Sequence, residues 1–128
     1  MKKLLIGMSL LAAVSLNTHA KTINMGEFKL TAYCPCEECS EGYGRQTHSG
    51  KHARSNHTIA VDPDIIDIGS KVKIGKTIYT AEDVGGKVCG DHIDIFFDTH
   101  AEVNEFGTKY KNVKVIRKEK KKKKKHKK

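Results

Sequence analysis

Short β-prone segments separated by closely spaced turn residues dominate the middle of this chain. Within them, apolar and β-branched residues alternate with polar ones or run together over a few positions, a pattern that predicts strands. Six such segments are present: Glu27 to Tyr33, His57 to Val61, Lys71 to Ile74, Lys76 to Ala81, Ile93 to Phe97 and Asn112 to Ile116. Turn residues such as Pro63-Asp64, Gly75 and Gly85-Gly86 lie between them. We therefore expect a small closed barrel, because closure leaves no exposed strand edge.

One short helix is predicted between the last two strands. Thr99 to Phe106 spans about two helical turns, and Thr99 is a favoured N-cap residue. Glu102 lies three residues after Thr99, so the pair forms a capping box. The expected fold is mainly β, a six-stranded barrel with one short helix, formed by residues 21–116.

The N-terminal residues have the composition of an export signal. Met1-Lys2-Lys3 is positively charged, Leu4 to Leu16 is an apolar run, and Thr18-His19-Ala20 ends in a small residue. We predict a signal peptide at residues 1–20 and a mature chain that begins at Lys21. The predicted location is exported, in the periplasm or in the extracellular space and cell wall. No transmembrane anchor is expected, because the apolar run is shorter than the roughly 18 residues that span a bilayer.

The basic charge of the chain is concentrated in residues 117–128. Ten Lys or Arg residues and one Glu give this segment a charge of +9, whereas Lys21 to Ile116 carries twelve basic and fourteen acidic residues, or −2. A lysine run repels itself and lacks apolar residues, so a disordered tail is predicted. Its expected partners in an exported protein are anionic envelope polymers or lipid head groups, and the alternative is a solubilising tail. Nucleic acid is not expected, because no aromatic platform is present.

Three aspartates lie in or beside the predicted strands. Asp62 follows a short β-branched run, Asp83 follows another, and Asp94 lies inside the apolar run Ile93 to Phe97. A carboxylate in such a setting loses hydration when its strand packs, so it must be hydrogen-bonded, neutralised by a raised pKa or used in chemistry. Asp94 has the most apolar neighbours, which should raise its pKa.

A structural role is the alternative for two of these aspartates. Asp62 precedes Pro63, and Asp83 precedes Val84-Gly85-Gly86. Asp in such positions forms turns by hydrogen bonding to its own backbone two residues on. The residues alone leave both roles open for Asp62 and Asp83.

Five short motifs occur in a fixed order along the chain. They are Thr31-Ala32-Tyr33-Cys34-Pro35, Thr47-His48-Ser49-Gly50, Ala60-Val61-Asp62-Pro63 with Ile68-Gly69-Ser70, Ala81 to Gly86, and Cys89 to Phe96. In this order they resemble the 3D domain, a family named for its three aspartates, from about Phe28 to Gly107. The resemblance implies a double-psi β-barrel akin to the catalytic domain of MltA-type lytic transglycosylases and to RlpA-like barrels. It also implies an exported enzyme that cleaves the glycan strands of peptidoglycan.

The resemblance assigns roles to particular residues. It implies that Asp94 is the catalytic acid and base and that Asp83 and Asp62 support it. The residues expected to contact the glycan are Thr31, Tyr33, Ser49, Gly85 and Gly86. In a lytic transglycosylase the 6-hydroxyl of muramic acid attacks its own anomeric carbon and forms a 1,6-anhydro end, so one carboxyl group serves as acid and then as base. No cofactor is expected.

Some positions depart from the family pattern and leave a second function open. The chain has Glu82 before Asp83, Val84 after it, and His48 between Thr47 and Ser49. Neighbouring residues in a strand point to opposite faces, so Glu82 is expected to face away from the site. The alternative function is a non-catalytic barrel that binds cell-wall glycan or a protein.

The four cysteines are Cys34, Cys36, Cys39 and Cys89. In an exported domain an even number of cysteines predicts disulfides, with at least one bridge from the clustered three to Cys89 if all four pair. One alternative is a structural zinc site, since Cys36-x-x-Cys39 has metal-ligand spacing and Cys34, Cys89 or a histidine could complete it. The other alternative is that the cysteines are free thiols.

Overall fold

The computed structural model describes residues 20–118, which form six strands and two helices. The strands are β1 Ala20–Tyr33, β2 Thr58–Ala60, β3 Lys71–Ile74, β4 Thr77–Asp83, β5 His92–Phe96 and β6 Lys109–Lys118. The helices are α1 Glu37–Ser40 and α2 His100–Phe106. Each strand overlaps one of the six predicted from the sequence.

The strands close into a barrel in the order β1, β5, β2, β4, β3, β6. The pairs β1 with β5 and β2 with β4 are parallel, and the other four pairs are antiparallel. The predicted mainly β, six-stranded closed barrel is thus confirmed. This arrangement is consistent with the double-psi barrel that the family resemblance implies.

The prediction of one helix is incomplete, because α1 is a second helix of a single turn. Cys36 caps it, and its sulfur accepts a hydrogen bond from the backbone N–H of Cys39. None of the four residues of α1 is buried, so it has no apolar periodicity that could predict it. The predicted Thr99 cap of α2 is present, since Thr99 Oγ1 accepts from the Glu102 N–H. The Glu102 carboxylate accepts from the Thr99 hydroxyl, whereas in a capping box it accepts from the N-cap backbone N–H.

Alternating side chains determine which face of each strand enters the barrel. In β1, Phe28 and Leu30 are each 1% exposed, whereas Lys29 between them is exposed. In β6, Val113 and Val115 are buried in the same way. The interior combines these residues with buried aliphatic side chains of the other strands: Ile59, Val72, Ile74, Ala81, Ile93 and Ile95. Apolar burial of this kind is the main favourable term in folding.

The two longest strands meet at the ends of the described region. β1 and β6 pair from Ala20 with Lys118 to Leu30 with Lys109. Arg117 and Lys118, which composition assigns to the lysine-rich tail, therefore continue β6. The rest of the predicted tail, and the predicted signal peptide up to residue 19, lie outside the described residues. Among residues 20–118, no helix is long and apolar enough to cross a bilayer.

Candidate active site

Strand pairing places Asp83 and Asp94 on either side of Ala60. Ala60 of β2 pairs with Asp94 in the antiparallel ladder to β5 and with Asp83 in the parallel ladder to β4. A register shift after Ile59 puts Asp83 rather than Glu82 opposite Ala60. A shift of one residue exchanges the two faces of a strand, so this bulge determines which carboxylate faces the site.

Asp83 and Asp94 line a cleft of about 580 Å³. The barrel contributes one side of the cleft, and the loops before β2 and after β4 contribute the others. Further lining residues from these segments are Tyr33, Ala60, Thr47, His48, Gly85 and Gly86. Of the predicted glycan contacts, Tyr33, Gly85 and Gly86 are therefore at the cleft.

Asp83 is held by three hydrogen-bond donors. Its Oδ1 accepts from the backbone N–H groups of His48 and Val84, at 3.0 and 2.9 Å. Its Oδ2 accepts from the Tyr33 hydroxyl at 3.0 Å. Burial and the adjacent carboxylate of Asp83 hold the pKa of Tyr33 far above its usual range, so Tyr33 is a permanent donor. Asp83 is consequently an oriented carboxylate with most of its acceptor positions occupied.

Asp94 has fewer partners and a different electrostatic setting. Its Oδ1 lies 3.0 Å from the hydroxyl oxygen of Thr31, its register partner in β1. Burial raises the pKa of Asp94 above its ordinary value. The Thr31 hydrogen bond and the His92 side chain oppose this rise, and the charge of Asp83 adds to it. These are the features of a carboxyl group that keeps a proton to higher pH than an exposed aspartate.

Thr31 also connects Asp94 to His92. The Thr31 hydroxyl oxygen lies 2.7 Å from Nε2 of His92, and Nδ1 of His92 lies 3.2 Å from the Lys87 carbonyl oxygen. A carbonyl only accepts, so Nδ1 carries a proton. Thr31 has one hydroxyl proton, and it cannot donate to both Asp94 and His92 at once.

Two proton arrangements satisfy every hydrogen bond in this chain of three side chains. In the first, doubly protonated His92 donates to Thr31, and Thr31 donates to the Asp94 carboxylate. In the second, protonated Asp94 donates to Thr31, and Thr31 donates to the unprotonated Nε2 of His92. Both contain the same number of protons, so the hydrogen bonds of the network are compatible with a proton on Asp94.

Asp62 is not among the residues that line the cleft. Its two carboxylate oxygens accept from the backbone N–H groups of Gly90, at 2.8 Å, and Asp64, at 2.9 Å. Both hydrogen bonds lower the pKa of Asp62, and the bond from Gly90 has the larger effect. The contact with Asp64 is the turn that was the structural alternative for Asp62, and the contact with Gly90 fixes the segment that leads into β5.

The other predicted glycan contacts are placed less directly. Thr31 supports Asp94 from β1 and does not line the cleft. Ser49 bonds to the Thr47 side chain through its hydroxyl and donates its backbone N–H to the Glu82 carbonyl, so it supports the loop that lines the cleft. Packing also explains why position 85 is a glycine, because a Cβ there would lie 3.0 Å from the Val88 side chain.

Glu82 faces away from the cleft, as expected from its position next to Asp83. Its side chain is buried and accepts a hydrogen bond from Thr58 Oγ1 at 2.9 Å. The same carboxylate oxygen, Oε1, lies 3.0 Å from Nε2 of His57. Glu82 is therefore a paired structural carboxylate between β2 and β4.

The predicted disulfides are not formed: all four cysteines, each within the described part of the chain, are free thiols. Cys34, Cys36 and Cys39 lie together with His100, whereas Cys89 is exposed and bonds to the Gly86 carbonyl. Cys89 lies outside the cluster, and the conditional bridge from the loop to Cys89 is not present in this structure. The Cys39 backbone N–H lowers the pKa of Cys36 to about 7, and burial raises that of Cys34 to about 12.

Sequence reasoning missed two histidines that the fold brings into these clusters. His92 bonds to Thr31, which is 61 positions away, through the β1 and β5 ladder. His100 reaches the cysteines from the first residue of α2. Contacts between segments far apart in the sequence cannot be predicted from the residues around each histidine. The one local signal is the N-cap at Thr99, which predicts that α2 begins at His100.

Comparison with known proteins gives several relatives. The sequence model described as "3D domain" matches residues 57–117. The SPbeta prophage-derived uncharacterized protein YorM of Bacillus subtilis (strain 168) is 35% identical over 113 residues, covering 80% of this chain and 46% of YorM. The cell wall-binding protein YocH of the same strain is 42% identical over 59 residues, covering 45% of this chain and 21% of YocH. The chain thus spans less than half the length of these relatives.

Among solved structures, the crystal structure of MltA from E. coli is similar with a TM-score of 0.49 and 22% identity. The likeness covers 58% of this chain and 28% of that structure. The family match begins at His57, after the first two motifs, and includes Asp62, Asp83 and Asp94. The resemblance to the 3D domain is thus confirmed over residues 57–117, which match the sequence model of that family.

Proposed function

We propose that this protein cleaves the glycan strands of peptidoglycan as a lytic transglycosylase, with Asp94 as the catalytic acid and base. The observation that carries the proposal is the placement of Asp94 in a cleft, partly buried and beside a second, fixed carboxylate. The implied chemistry of the 3D domain and the name of YocH, a cell wall-binding protein, support a cell-wall glycan as the ligand.

The first step requires a proton on the leaving oxygen. The bond between the anomeric carbon of muramic acid and the bridging oxygen breaks as protonated Asp94 donates to that oxygen. The raised pKa of Asp94 keeps this proton available, and the Thr31 hydroxyl can donate a hydrogen bond to the carboxylate that remains on Asp94.

The second step uses the same residue in reverse. The muramic acid 6-hydroxyl attacks the anomeric carbon, and its proton passes to the Asp94 carboxylate. The products are a chain with a free hydroxyl at the former leaving oxygen and a chain that ends in a 1,6-anhydro sugar. Asp94 is returned to its protonated state, so protons and bonds balance without water.

Asp83 is better suited to stabilise charge than to activate water. An inverting hydrolase needs a second carboxylate that is free to take a proton from water. Three donors already occupy Asp83, so its remaining role is electrostatic: its negative charge stabilises the oxocarbenium-like centre of the transition state. The occupied carboxylate is the specific reason to favour transglycosylation over hydrolysis.

Two further assignments extend this proposal to the rest of the chain. Tyr43 lines the cleft and is 67% exposed, so its ring is available to pack on a sugar. The lysine-rich tail would keep the enzyme near anionic polymers of the cell envelope. The second candidate function is a binding module, which the name of YocH favours.

Product analysis distinguishes these functions. The purified protein is incubated with peptidoglycan sacculi, and the soluble products are identified by mass spectrometry. Anhydro-muropeptides are the expected products, whereas reducing sugar ends would mean hydrolysis. Sacculus binding without soluble products would assign the chain to the binding-module class.

A further inference from the structure

The loop after β1 and the start of α2 bring four metal-binding side chains to one point. Cys34 directly follows β1, and His100 is the first residue of α2. Cys36 is the N-cap residue of α1, and Cys39 lies within α1. Their ligand atoms, three Sγ and one ring nitrogen, all lie within 4.8 Å of one another. The glycan-cleavage proposal uses none of these four residues.

We propose that Cys34, Cys36, Cys39 and His100 bind one structural Zn²⁺ ion. This site differs from a four-cysteine site, because the fold supplies His100 in place of Cys89. The proposal does not depend on the proposed glycan cleavage, so either can fail without the other.

The distances to His100 match those of a tetrahedral zinc site. Zinc bonds of about 2.3 Å to sulfur and 2.0 to 2.1 Å to nitrogen place a sulfur and a nitrogen ligand about 3.6 Å apart. Nδ1 of His100 lies 3.7, 3.6 and 3.4 Å from the Sγ atoms of Cys34, Cys36 and Cys39. One imidazole nitrogen therefore faces all three sulfurs at ligand spacing.

The sulfur atoms of Cys34 and Cys36 are slightly closer together than a tetrahedral zinc site requires. Sγ of Cys34 and Sγ of Cys36 are 3.2 Å apart, whereas two sulfurs on a tetrahedral zinc ion are about 3.8 Å apart. Cys36 is only partly buried and follows Pro35 in a loop, so a rotation of its side chain can supply the difference. The cluster therefore needs little rearrangement to hold the ion.

A backbone donor already points at one of the sulfurs. The N–H of Cys39 lies 3.4 Å from Sγ of Cys36 and caps α1 through this contact. Hydrogen bonds of this kind orient ligands and stabilise thiolates in metal sites. The single turn of α1 thus positions Cys36 and Cys39 relative to each other.

A disulfide explains this cluster less completely than zinc. One bridge uses two of the three sulfurs and leaves the third thiol and His100 without a role. The fourth cysteine, Cys89, is exposed and bonds to the Gly86 carbonyl at the cleft. Zinc uses all four clustered groups, and soft thiolate ligands with an imidazole favour zinc over hard cations such as Mg²⁺ or Ca²⁺.

Four protein ligands leave no open position, so the ion is structural rather than catalytic. It would tie the loop after β1 to α2. The same loop supplies a side of the cleft through Cys39, Ser40, Tyr43 and Gly44. Zinc would therefore order that side of the cleft.

Metal analysis of the full chain tests this site. The protein is purified in a phosphine reductant without chelators, and zinc is measured per chain by atomic emission. Cobalt(II) is then added to the metal-free protein, since tetrahedral thiolate ligation gives intense charge-transfer and visible absorption. The variants are His100→Ala and Cys36→Ser, and the matched controls are His52→Ala and Cys89→Ser, which alter an exposed loop histidine and the cysteine outside the cluster.

We expect one zinc ion per chain and the tetrahedral cobalt spectrum in the parent and both controls. Loss of a ligand in His100→Ala or Cys36→Ser should weaken zinc binding by at least about a hundredfold, since loss of an outer-shell partner alone costs 10- to 100-fold. A parent without zinc affinity, or a Cys89→Ser variant that loses the ion while His100→Ala keeps it, would overturn the assignment.

Thiol alkylation gives a second measurement that does not require the variants to fold. In the zinc-bound parent, alkylation followed by mass spectrometry should label Cys89 alone. After chelation, Cys36 and Cys39 should react as well. Equal labelling with and without the chelator, or a disulfide among the clustered cysteines in protein purified without the reductant, would contradict the zinc site.

Discussion

The hydroxyl oxygen of Thr31 lies 3.0 Å from Oδ1 of Asp94, directly across the parallel ladder between β1 and β5. The same oxygen lies 2.7 Å from Nε2 of His92. Because Thr31 has one proton to donate, the protonation of Asp94 is linked to that of His92. This linkage makes the pH dependence of activity a test of the site.

Activity is expected to fall as the pH rises through the pKa of Asp94, because the first step needs the protonated acid. That pKa is raised above the ordinary value by burial, so the fall should occur well above the range of an exposed aspartate. The measurement is the rate of glycan release as a function of pH. A rate that declines already at the pH where an exposed carboxyl ionises would contradict the role of Asp94.

Replacing His92 should change the shape of this pH profile. The His92 side chain lowers the pKa of Asp94, so His92→Gln removes that influence and the alkaline limb should move to higher pH. The maximal rate should drop far less than in Asp94→Asn, because Asp94 itself gives the proton in the first step and regains one in the second. His52→Gln is the matched control and should leave both the rate and the limb unchanged, whereas an unchanged limb in His92→Gln would remove His92 from the network.

Asp94 is expected to reduce the stability of the fold at neutral pH. A raised folded-state pKa means that the folded chain binds more protons than the unfolded chain between the two pKa values, so stability falls as the pH rises through this window. Asp94→Asn removes this penalty and should stabilise the domain by about 1 kcal/mol, or roughly 4 to 8 °C in melting temperature. Thermal unfolding at pH 7 measures the change, and a lower melting temperature for Asp94→Asn would contradict it.

Asp62 is expected to have the opposite effect on stability. Its pKa is lowered by the hydrogen bonds from Gly90 and Asp64, so its contribution is present above the unfolded pKa and is lost as the pH falls through the folded one. Asp62→Ala should lower the melting temperature at pH 7, and this difference should shrink at strongly acidic pH. Glycan release should persist at reduced rate, whereas complete loss in a folded Asp62→Ala variant would place Asp62 in the chemistry.

Glu82 provides a prediction about the barrel itself. A buried hydrogen-bond donor that loses its acceptor costs about 1 to 3 kcal/mol. Glu82→Ala leaves the buried Thr58 hydroxyl and the His57 ring without their acceptor, so we expect a loss of about 3 kcal/mol in chemical unfolding. Glu105→Ala, which truncates an exposed glutamate of α2, is the control and should change stability little.

Local patterns were sufficient to predict the strands and the second helix. Alternation at Phe28 and Leu30 identified β1, and the Thr99 and Glu102 pair identified the start of α2. The first half of β1 was not predicted, because Gly26 interrupts the alternation of Ile23 and Met25 before Phe28, and pairing with β6 continues the strand through this break. Tertiary pairing decides such segments more than intrinsic propensity does.

The candidate site was predictable in its residues but not in its arrangement. Asp83 and Asp94 stood out as carboxylates near apolar runs, and Glu82 was expected to face away, but the pairing of both aspartates with Ala60 depends on the bulge after Ile59. The separation of Asp62 from the cleft and the reach of His100 to the cysteines also depend on contacts between distant segments. Long-range register of this kind cannot be read from one sequence.

In the proposed mechanism, Asp94 is required to cleave the glycan and is not required to bind it. The most direct measurement compares the parent, Asp94→Asn and the exposed control Asp91→Asn for release of soluble muropeptides and for sedimentation with sacculi in the same samples. The proposed mechanism predicts that Asp94→Asn loses release by about a thousandfold or more and still binds sacculi, because a catalytic acid contributes about 10² to 10⁴ in rate and Asp94 also acts as the base. Asp91→Asn should keep near-parental release and near-parental binding. Release of muropeptides by Asp94→Asn at the parental rate would contradict the role of Asp94 as the catalytic acid and base.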